Sequence, residues 1–216
     1  MPQETDTYDV LKKRLTSNGF KHGAKLRPEE LRTELGCSTS TVREILFRLS
    51  TVGLVNYQDQ RGFRVPERNP EKMIELTNMR ILLEAEGAAL SIRNGGIAWE
   101  AQLTAAHHKL MHVEGRIREQ TDRSTLGDIW MTCEAEFHQT LISACASKTL
   151  KVMHAQIYAQ FRQQLMVTDV LYEFISENIK DHAAILDAAL SGDETNTRGR
   201  VYDHLKRHLT GKTLGI

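Results

Sequence analysis

The stretch LRTELGCSTSTVREILFRLSTVGLVNYQDQRGFRV, residues 31–65, decides the fold of the first third of this chain. Its centre predicts a helix, because apolar residues recur at helical spacing and Gly53 follows as a stop signal. Those apolar residues are Val42, Ile45, Leu46 and Leu49. Small hydroxyl residues open the helix, and Thr41 with Glu44 three positions later fits a capping box.

Three further elements flank this helix. RPEELRTELG, residues 27–36, predicts another helix, with a proline near its start and a glycine at its end. LVNYQDQRGFRVP, residues 54–66, predicts two short strands around a turn at residues 59–62. With an earlier helix in TYDVLKKRLTSNG, residues 7–19, the order of elements predicts a winged helix-turn-helix.

The rest of the chain reads as helices. PERNP, residues 66–70, marks a linker, and strand signals vanish after it. Helices are predicted over residues 71–94, 97–119, 126–146, 149–167, 170–190 and 194–210. Their short connections favour an antiparallel bundle. The predicted fold class is mainly α, with a winged helix-turn-helix at residues 1–66, a linker at 67–70 and an all-α bundle at 71–216.

Composition excludes several classes of protein. The 216 residues are 40% hydrophobic and 26% charged, which is ordinary for a globular chain. No apolar run approaches the roughly 18 residues of a membrane span, and the N-terminus has no signal-peptide pattern. Three cysteines without a CxxC indicate neither a disulfide framework nor a zinc ribbon. These features predict a cytoplasmic protein without a membrane partner.

Charge is distributed unevenly along the chain. Residues 1–66 contain 11 Lys and Arg against 8 Asp and Glu, whereas the remainder contains 17 basic and 20 acidic residues. A basic front end is consistent with a nucleic-acid partner. Eight of the nine histidines lie beyond position 100, which hints at a metal in the second part.

The predicted helix after residue 38 has the side chains of a DNA-reading helix. A major-groove helix needs small polar residues at its N-terminus and an arginine that reaches base edges or phosphate. Arg43 fits the second role, and Arg61 with Gly62 at the wing tip suits the minor groove. The hydroxyl residues are Ser38, Thr39, Ser40 and Thr41. The alternative is a helix-turn-helix that binds protein.

Residues 31–65 resemble the GntR family of bacterial repressors. That family has the pattern LA-x-x-LGVSRTPVREAL-x-RL-x-x-EGLV followed by RG-x-x-V, and TVREIL-x-RL, GLV and RGFRV match it here. Two positions depart, since Thr39 stands where the family usually has Arg and Thr41 where it often has Pro. The missing arginine removes a frequent DNA contact, so the resemblance does not carry over an operator sequence. Arg43 is the DNA contact that it supports best.

CEAEFHQT, residues 133–140, places a carboxylate and an imidazole on one face of a predicted helix. Glu134 and His138 are four apart and are therefore neighbours on a helix surface. Such a pair indicates either a metal or ligand site or an ordinary solvated pair. The spacing alone leaves both readings open.

The second part of the chain resembles the FCD (FadR C-terminal) effector domain of the GntR family. MRILLEAEGAAL is similar to its opening, and six helices suggest its shorter, VanR-like version. The family's Asp-x-x-Phe-His motif supplies two metal ligands and two later histidines complete the site. The resemblance places Glu134, where Asp is usual, and His138 in the motif, with His182 and His204 as the later histidines. One carboxylate with three imidazoles suits a divalent transition metal such as Zn or Ni.

The remaining candidates concern a ligand. A pocket with a metal and arginines favours a small organic acid, because guanidinium and carboxylate pair bidentately. Arg80, in the R-x-x-LE motif, and Arg162, in YAQFRQQL, are the candidate effector-binding residues, with helix bridging as the alternative for each. His154 is a possible pocket residue. Three histidines on one predicted helix read as surface residues, namely His107, His108 and His112.

The leading hypothesis is a homodimeric, ligand-responsive transcription factor, usually a repressor in this family, that binds palindromic operator DNA. A second hypothesis is a metal-dependent enzyme, but no HExxH or paired acid/base signature accompanies the histidines. The protein is therefore predicted not to be an enzyme. A third hypothesis is a DNA-binding dimer whose bundle holds neither metal nor effector.

Overall fold

The computed structural model describes residues 4–17, 19–119, 124–165 and 174–210. The chain divides into two compact units. The first, called the winged unit below, comprises residues 1–69 together with 159–166. The second, called the helical unit, comprises residues 70–158 and 167–216. The predicted fold class, winged helix-turn-helix plus an all-α part, is confirmed.

The winged unit contains three helices, a short three-stranded sheet and part of a later helix. Its own elements are α1 (Glu4–Thr16), β1 (Lys25–Leu26), α2 (Pro28–Leu35), α3 (Thr39–Thr51), β2 (Asn56–Gln58) and β3 (Gly62–Arg64). The strands are antiparallel in the order β1-β3-β2. The sequence did not predict β1, because two residues are too short to show an alternating pattern. It pairs Leu26 with Phe63 and so completes the sheet.

The core of the winged unit forms around α3. Its apolar face is fully buried, as the sequence predicted, at Val42, Ile45, Leu46 and Leu49. Leucines from α1, β1 and α2 and Phe63 from β3 pack into the same cluster. Ala159 belongs to this cluster although it follows Asn69, the last residue of the unit's first segment, by 90 positions. Non-polar burial of this kind is the main stabilising term for so small a unit.

The N-terminus of α3 differs from the predicted capping box. The helix begins at Thr39, and Ser38 is its N-cap in extended conformation. The Ser38 side chain accepts a hydrogen bond from the backbone N–H of Thr41 at 3.1 Å. Thr41 therefore lies in the first turn, and the capping box of Thr41 with Glu44 is wrong. Ser38, rather than Thr41, is therefore the residue that satisfies a free backbone N–H at the start of the helix.

Residues 159–166 join the winged unit through glutamine side chains. Gln163 donates hydrogen bonds to the backbone carbonyls of Leu15 at 3.2 Å and Leu54 at 2.9 Å. Gln160 donates to the carbonyl of Val52 at 3.1 Å. These amides satisfy buried carbonyls that the unit's own secondary structure leaves open.

The helical unit consists of long helices with short connections. They are α4 (Pro70–Asn94), α5 (Gly96–Glu119), α6 (Ser124–Leu141), α7 (Lys148–Leu165, shared with the winged unit), α8 (Ile175–Leu190), α9 (Glu194–Leu205) and a 3-10 turn (Lys206–Thr210). Helix α5 packs on α6 and α8, and α9 packs on α4 and α8. The predicted break at residues 168–169 and the predicted helix start at 170 lie outside the described residues.

Helix α6 ends five residues before the predicted limit of 146. The apolar pattern continues past the helix, since Ile142 and Cys145 are buried in the following turn. Ala146 then adopts a left-handed conformation with φ of 58°, which α-helix geometry excludes. An apolar pattern indicates which residues are buried, and here buried residues continue beyond the end of the helix.

Among the described residues, no helix is both long enough and apolar enough to cross a membrane.

Candidate metal centre and nucleic-acid interface

Three buried histidines from three helices meet in the helical unit. His138 lies on α6, His182 on α8 and His204 on α9, and each side chain is at most 5% exposed. One nitrogen from each ring lies within 4.8 Å of the others. The ring centroids are 4.6 to 5.5 Å apart. The structure thus brings together three of the four predicted metal ligands.

Each of these histidines directs its Nδ1 atom toward a carboxylate from another helix. The nitrogen–oxygen distances are 2.8 Å for His138–Glu84, 3.2 Å for His182–Glu114 and 3.4 Å for His204–Asp181. The first pair is close but is not aligned as a hydrogen bond, so its attraction is mainly electrostatic. With Nδ1 facing a carboxylate, Nε2 is the nitrogen left for another partner.

The other ring nitrogens fit a bound metal ion. Among the described residues, Nε2 of His138 and Nε2 of His182 are buried without a hydrogen-bond partner. A buried nitrogen without a partner is costly unless something else satisfies it. A metal coordinated by neighbouring imidazoles would do so, and neutral imidazoles suit Zn, Ni or Cu better than Mg or Ca.

The protonation of the cluster favours metal binding. Burial lowers the pKa of His138, against the attraction of Glu84. Burial, together with the neighbouring His182 and His138, holds the pKa of His204 well below its ordinary value. Both rings are therefore neutral near pH 7, and a neutral ring is the form that a metal needs.

Glu134 lies beside the cluster rather than within it. Its Oε1 atom is 3.7 Å from Nε2 of His138, while its Oε2 accepts a short hydrogen bond from the Tyr158 hydroxyl. The set of mutually close ligand atoms found among the described residues contains the three histidines and not Glu134. The role of Glu134 as a metal ligand stays a prediction.

Glu84 is one of three carboxylates beside the histidine cluster that the sequence analysis missed. Its buried carboxylate accepts hydrogen bonds from Arg80 at 2.7 Å and His154 at 2.9 Å, and it faces His138. Burial opposes its ionisation, but the Arg80 guanidinium outweighs burial and holds the pKa of Glu84 well below the usual range. The spacing of four between Arg80 and Glu84 was a signal that could have found it.

Two other carboxylates were also missed, and each has a further donor. The indole N–H of Trp130 donates to Glu114 at 3.3 Å. The Arg207 guanidinium donates a short hydrogen bond to Asp181. Burial raises the pKa of Asp181, against the attraction of Arg207. No local pattern pairs Glu114 with His182, because 68 positions separate them.

The two predicted effector arginines fall in different units. Arg80 is fully buried in the helical unit, with its guanidinium carbon 4.6 Å from the centre of the Tyr158 ring. This placement joins it, through Glu84, to the histidine cluster. Arg162 is buried in the segment of α7 that belongs to the winged unit. Binding of an effector by either residue stays a prediction.

Two histidines outside the cluster are also buried. His107 is 8% exposed and packs near the Phe137 ring, so its assignment to the surface is wrong. It lies on the buried side of α5, one position away from the exposed His108. His154 is buried and bonded to Glu84, which places it in the polar network next to the cluster.

The predicted DNA-reading residues lie at the N-terminus of α3 and at the tip of the wing. Arg43 is exposed and has no hydrogen-bond or ion-pair partner within the described chain. Ser38 bonds the hydroxyls of both Ser40 and Thr41 at 2.8 Å. The Thr39 hydroxyl donates to Glu29 of α2 at 2.9 Å, so it is already engaged.

The wing tip is a turn that presents one arginine and one glycine. Arg61 is exposed, and Gly62 adopts φ of 77° with open space where a side chain would project. Gln60 also has a positive φ, of 61°, which is uncommon for a residue with a side chain. A glycine at this position permits close approach of a nucleic-acid backbone.

This architecture defines a winged helix-turn-helix protein with an all-α second unit. The model of bacterial regulatory proteins, gntR family, matches residues 3–65, and the FCD domain model matches residues 75–207. The chain belongs to the GntR family and carries an FCD domain. Family members and relatives are transcriptional regulators and not enzymes.

Named relatives agree with this assignment. The chain is 31% identical to the uncharacterized HTH-type transcriptional regulator BphR of Paraburkholderia xenovorans, over 87% of this chain and 76% of that protein. It is 26% identical to the HTH-type transcriptional repressor GlaR of Escherichia coli, over 94% and 91% of the two chains. The solved structure of E. coli McbR/YncC has the same fold, with a TM-score of 0.76, 21% identity and coverage of 97% and 96%.

Proposed function

We propose that this protein is a ligand-responsive repressor that binds operator DNA as a homodimer and senses a small organic acid through a metal-containing pocket. The observation that carries the proposal is the cluster of His138, His182 and His204, in which one nitrogen of each ring lies within 4.8 Å of the others. Among the described residues, Nε2 of His138 and Nε2 of His182 have no hydrogen-bond partner. The family assignment supports the DNA-binding part of the proposal, and the buried histidines support the sensing part.

The DNA-binding step uses the winged unit. Two copies would bind the half-sites of a palindrome related by the dimer axis. The backbone amides at the start of α3, with Ser38, Ser40 and Thr41, suit phosphate oxygens, whereas Arg43 reaches base edges. Arg61 and Gly62 suit the minor groove beside the site.

Replacement of Arg43 by alanine tests the recognition helix. We expect operator affinity to fall by about 1–3 kcal/mol, since a bidentate base contact is worth that much, with relaxed specificity at one base pair. Arg198→Ala is the matched control, because Arg198 is a partly exposed arginine of the helical unit that pairs with Glu86. Fluorescence anisotropy at fixed salt measures both. If the Arg43→Ala variant bound the operator with wild-type affinity, the assignment of α3 as the recognition helix would be wrong.

The metal is proposed to be Zn or Ni, held by the three histidines, with Glu134 as the predicted fourth ligand. When bound, the ion supplies a positive centre that attracts an anionic ligand. The protein's own residues orient the imidazoles and exclude water from them. Elemental analysis of protein purified without a histidine tag tests this, with one metal per chain as the expected result.

The effector is proposed to be a small carboxylate. Arg80 lies next to the cluster, and its guanidinium has the geometry that pairs with carboxylates. Arg162 remains a second candidate. A thermal-shift screen of organic and sugar acids, with and without Zn or Ni, tests the proposal. We expect a stabilising acid whose effect depends on the metal and is lost in the His204→Ala variant.

The response would follow from differential binding. If metal and acid bind one arrangement of the helical unit more tightly, they shift its population and change the affinity for DNA by the same coupling free energy. The alternative is a DNA-binding dimer whose helical unit holds neither metal nor effector. Absence of metal in tag-free protein, with no acid that shifts its melting, would favour that alternative.

A further inference from the structure

We propose that Glu84, Glu114 and Asp181 are positioning residues that hold His138, His182 and His204 in the Nδ1–H tautomer. Any metal at the cluster is then bound by three Nε2 atoms. The proposal deepens the metal site described above and rests on that proposed function, but its first test is made without metal. None of the three carboxylates was predicted from the sequence.

The first support is that the arrangement occurs at all three histidines. In each case Nδ1 lies within 3.4 Å of a carboxylate oxygen. Each carboxylate comes from a helix other than the one that carries its histidine, with Glu84 on α4, Glu114 on α5 and Asp181 on α8. Three separate helix pairs therefore place a carboxylate beside Nδ1, with a hydrogen bond at His182 and His204 and close proximity without hydrogen-bond alignment at His138.

The second support is that each carboxylate is itself held in place. Arg80 donates to Glu84 at 2.7 Å, Trp130 donates to Glu114 at 3.3 Å, and Arg207 donates to Asp181. Two of these donors are cationic and the third is an indole N–H that only donates. Outer donors of this kind fix the carboxylate rotamers, which in turn fix the imidazole planes.

The chemical consequence concerns which nitrogen carries the proton. A neutral imidazole has one N–H and one lone pair, and a carboxylate stabilises the tautomer whose N–H faces it. The lone pair is then on Nε2, the atom that is buried without a hydrogen-bond partner in His138 and His182 within the described chain. The carboxylate also increases the basicity of the ring and so strengthens the bond to a metal.

Nitrogen NMR of the full-length, tag-free protein tests the tautomer directly. With ¹⁵N-labelled histidine and single His→Gln variants for assignment, long-range proton–nitrogen spectra distinguish Nδ1–H from Nε2–H rings. We expect Nδ1–H in all three rings of chelator-treated protein. Detection of Nε2–H as the main tautomer in any of them would overturn the proposal, whether or not the protein binds metal.

The same spectra with one equivalent of Zn²⁺ test the coordination. We expect the Nε2 resonances of the three rings to shift and the Nδ1–H protons to remain. Coordination through Nδ1 of any ring would overturn the proposal. Failure to bind Zn²⁺, with the expected tautomers present, would instead count against the proposed metal function alone.

Two charge-removing variants test the effect on affinity. Asp181→Asn and Glu114→Gln preserve side-chain size, and we expect Zn²⁺ affinity to fall about 10- to 100-fold in competition with a chromophoric chelator. Asp203→Asn and Glu86→Gln are the matched controls, since both carboxylates are about half exposed and pair with Lys206 and Arg198. Asp181 is 27% exposed, so its variant is the one best placed to fold if Glu114→Gln does not.

Circular dichroism of each variant separates a positioning role from a structural one. A folded Asp181→Asn protein with weakened Zn²⁺ binding and a larger fraction of the Nε2–H tautomer at His204 is the expected result. A folded variant that keeps wild-type Zn²⁺ affinity and an unchanged tautomer would overturn the role of Asp181.

Discussion

Glu134 is the residue on which the ligand set of the proposed metal site depends. It stands where the family's motif has aspartate, and its longer side chain reaches the Tyr158 hydroxyl, while one oxygen stays 3.7 Å from Nε2 of His138. The extra methylene therefore gives the carboxylate an alternative partner. Tyr158 and a metal would compete for the same group.

The Glu134→Gln variant separates the two arrangements. If Glu134 ligates the metal, loss of its charge should lower Zn²⁺ affinity by at least tenfold while the helical unit stays folded. Glu136→Gln is the matched control, because Glu136 is on the same helix and pairs with exposed Lys109. Isothermal titration measures both. Equal affinities in wild type and Glu134→Gln would leave a site of three histidines.

His107 provides a pH-dependent prediction away from the cluster. Burial first, and the neighbouring His182 second, lower its pKa in the folded protein. An unfolded histidine has a pKa of about 6.5, so above that pH the ring is neutral in both states and does not affect stability. As the pH falls below 6.5, the unfolded state takes up a proton first, and stability is lost until the pH passes the lower, folded-state pKa.

The His107→Gln variant removes that titration. Urea denaturation of chelator-treated protein between pH 7.5 and 5 should show a smaller loss of unfolding free energy in the variant than in the wild type. Parallel curves for the two proteins would mean that the buried ring does not resist protonation.

At the residue scale, the three histidines were predicted and their carboxylate partners were not. His138 was visible in a pair with Glu134 at a spacing of four, and the resemblance supplied the two later histidines. The pairing of each carboxylate with its histidine could not be predicted, because the tertiary packing of the helices creates it. A single sequence carries no signal for a contact across 68 positions.

At the scale of elements, the close approach of α4 to the α6–α7 turn depends on a missing side chain. A Cβ atom at Gly87 would lie 2.7 Å from Cγ2 and 2.8 Å from Cβ of Ile142. Leu150, at 3.1 Å, closes the same space from α7. The backbone of α4 can approach the turn this closely only because residue 87 has no side chain.

Gly87→Ala should therefore destabilise the protein by about 1–3 kcal/mol, the usual cost of overpacking a core. Gly199→Ala, at an exposed position of α9 with no neighbour within 4 Å, is the matched control and should stabilise by about 0.5–1 kcal/mol through helix propensity. Equilibrium urea denaturation measures both. The opposite order of stability would contradict the packing described for α4.

Element types were predicted well and element ends less well. The helices of both units follow from their apolar spacing, but the N-cap of α3 is Ser38, three residues before the predicted Thr41. The predicted end of α6 was too late, because the apolar pattern continues over buried residues that follow the helix. Strand β1 was missed because its pairing with β3 is its only signature.

For the whole molecule, metal binding would couple directly to stability. A ligand that binds only the folded state stabilises it by about 2.7 kcal/mol at one hundred times its dissociation constant. We therefore expect tag-free protein to melt at a lower temperature after treatment with chelator and to recover on addition of Zn²⁺. Differential scanning calorimetry measures this. If tag-free protein contains no metal and melts at the same temperature with and without chelator, the result would favour the alternative, a DNA-binding dimer whose helical unit holds neither metal nor effector.

The order of the secondary-structure elements could be predicted from the sequence, but the assignment of residues to the two units could not. Residues 7–66 were enough to predict the winged helix, and the loss of strand signals after the linker was enough to predict the helices. Nothing local indicated that residues 159–166 belong with the winged unit. The glutamines of this segment bond to backbone carbonyls, which leave no pattern in the sequence.

That membership has a consequence for synthesis on the ribosome. The amide of Gln163 reaches the carbonyl of Leu15 across 148 positions, and Ala159 completes the core around α3. A nascent chain that has emerged only to residue 69 thus has its DNA-reading helix but not the last pieces of its packing. Contacts so distant in sequence form late and slowly. Residues 159–166 follow α4, α5 and α6 in the chain, so the growing polypeptide completes the packing around α3, the helix proposed to read DNA, only after those helices have been made.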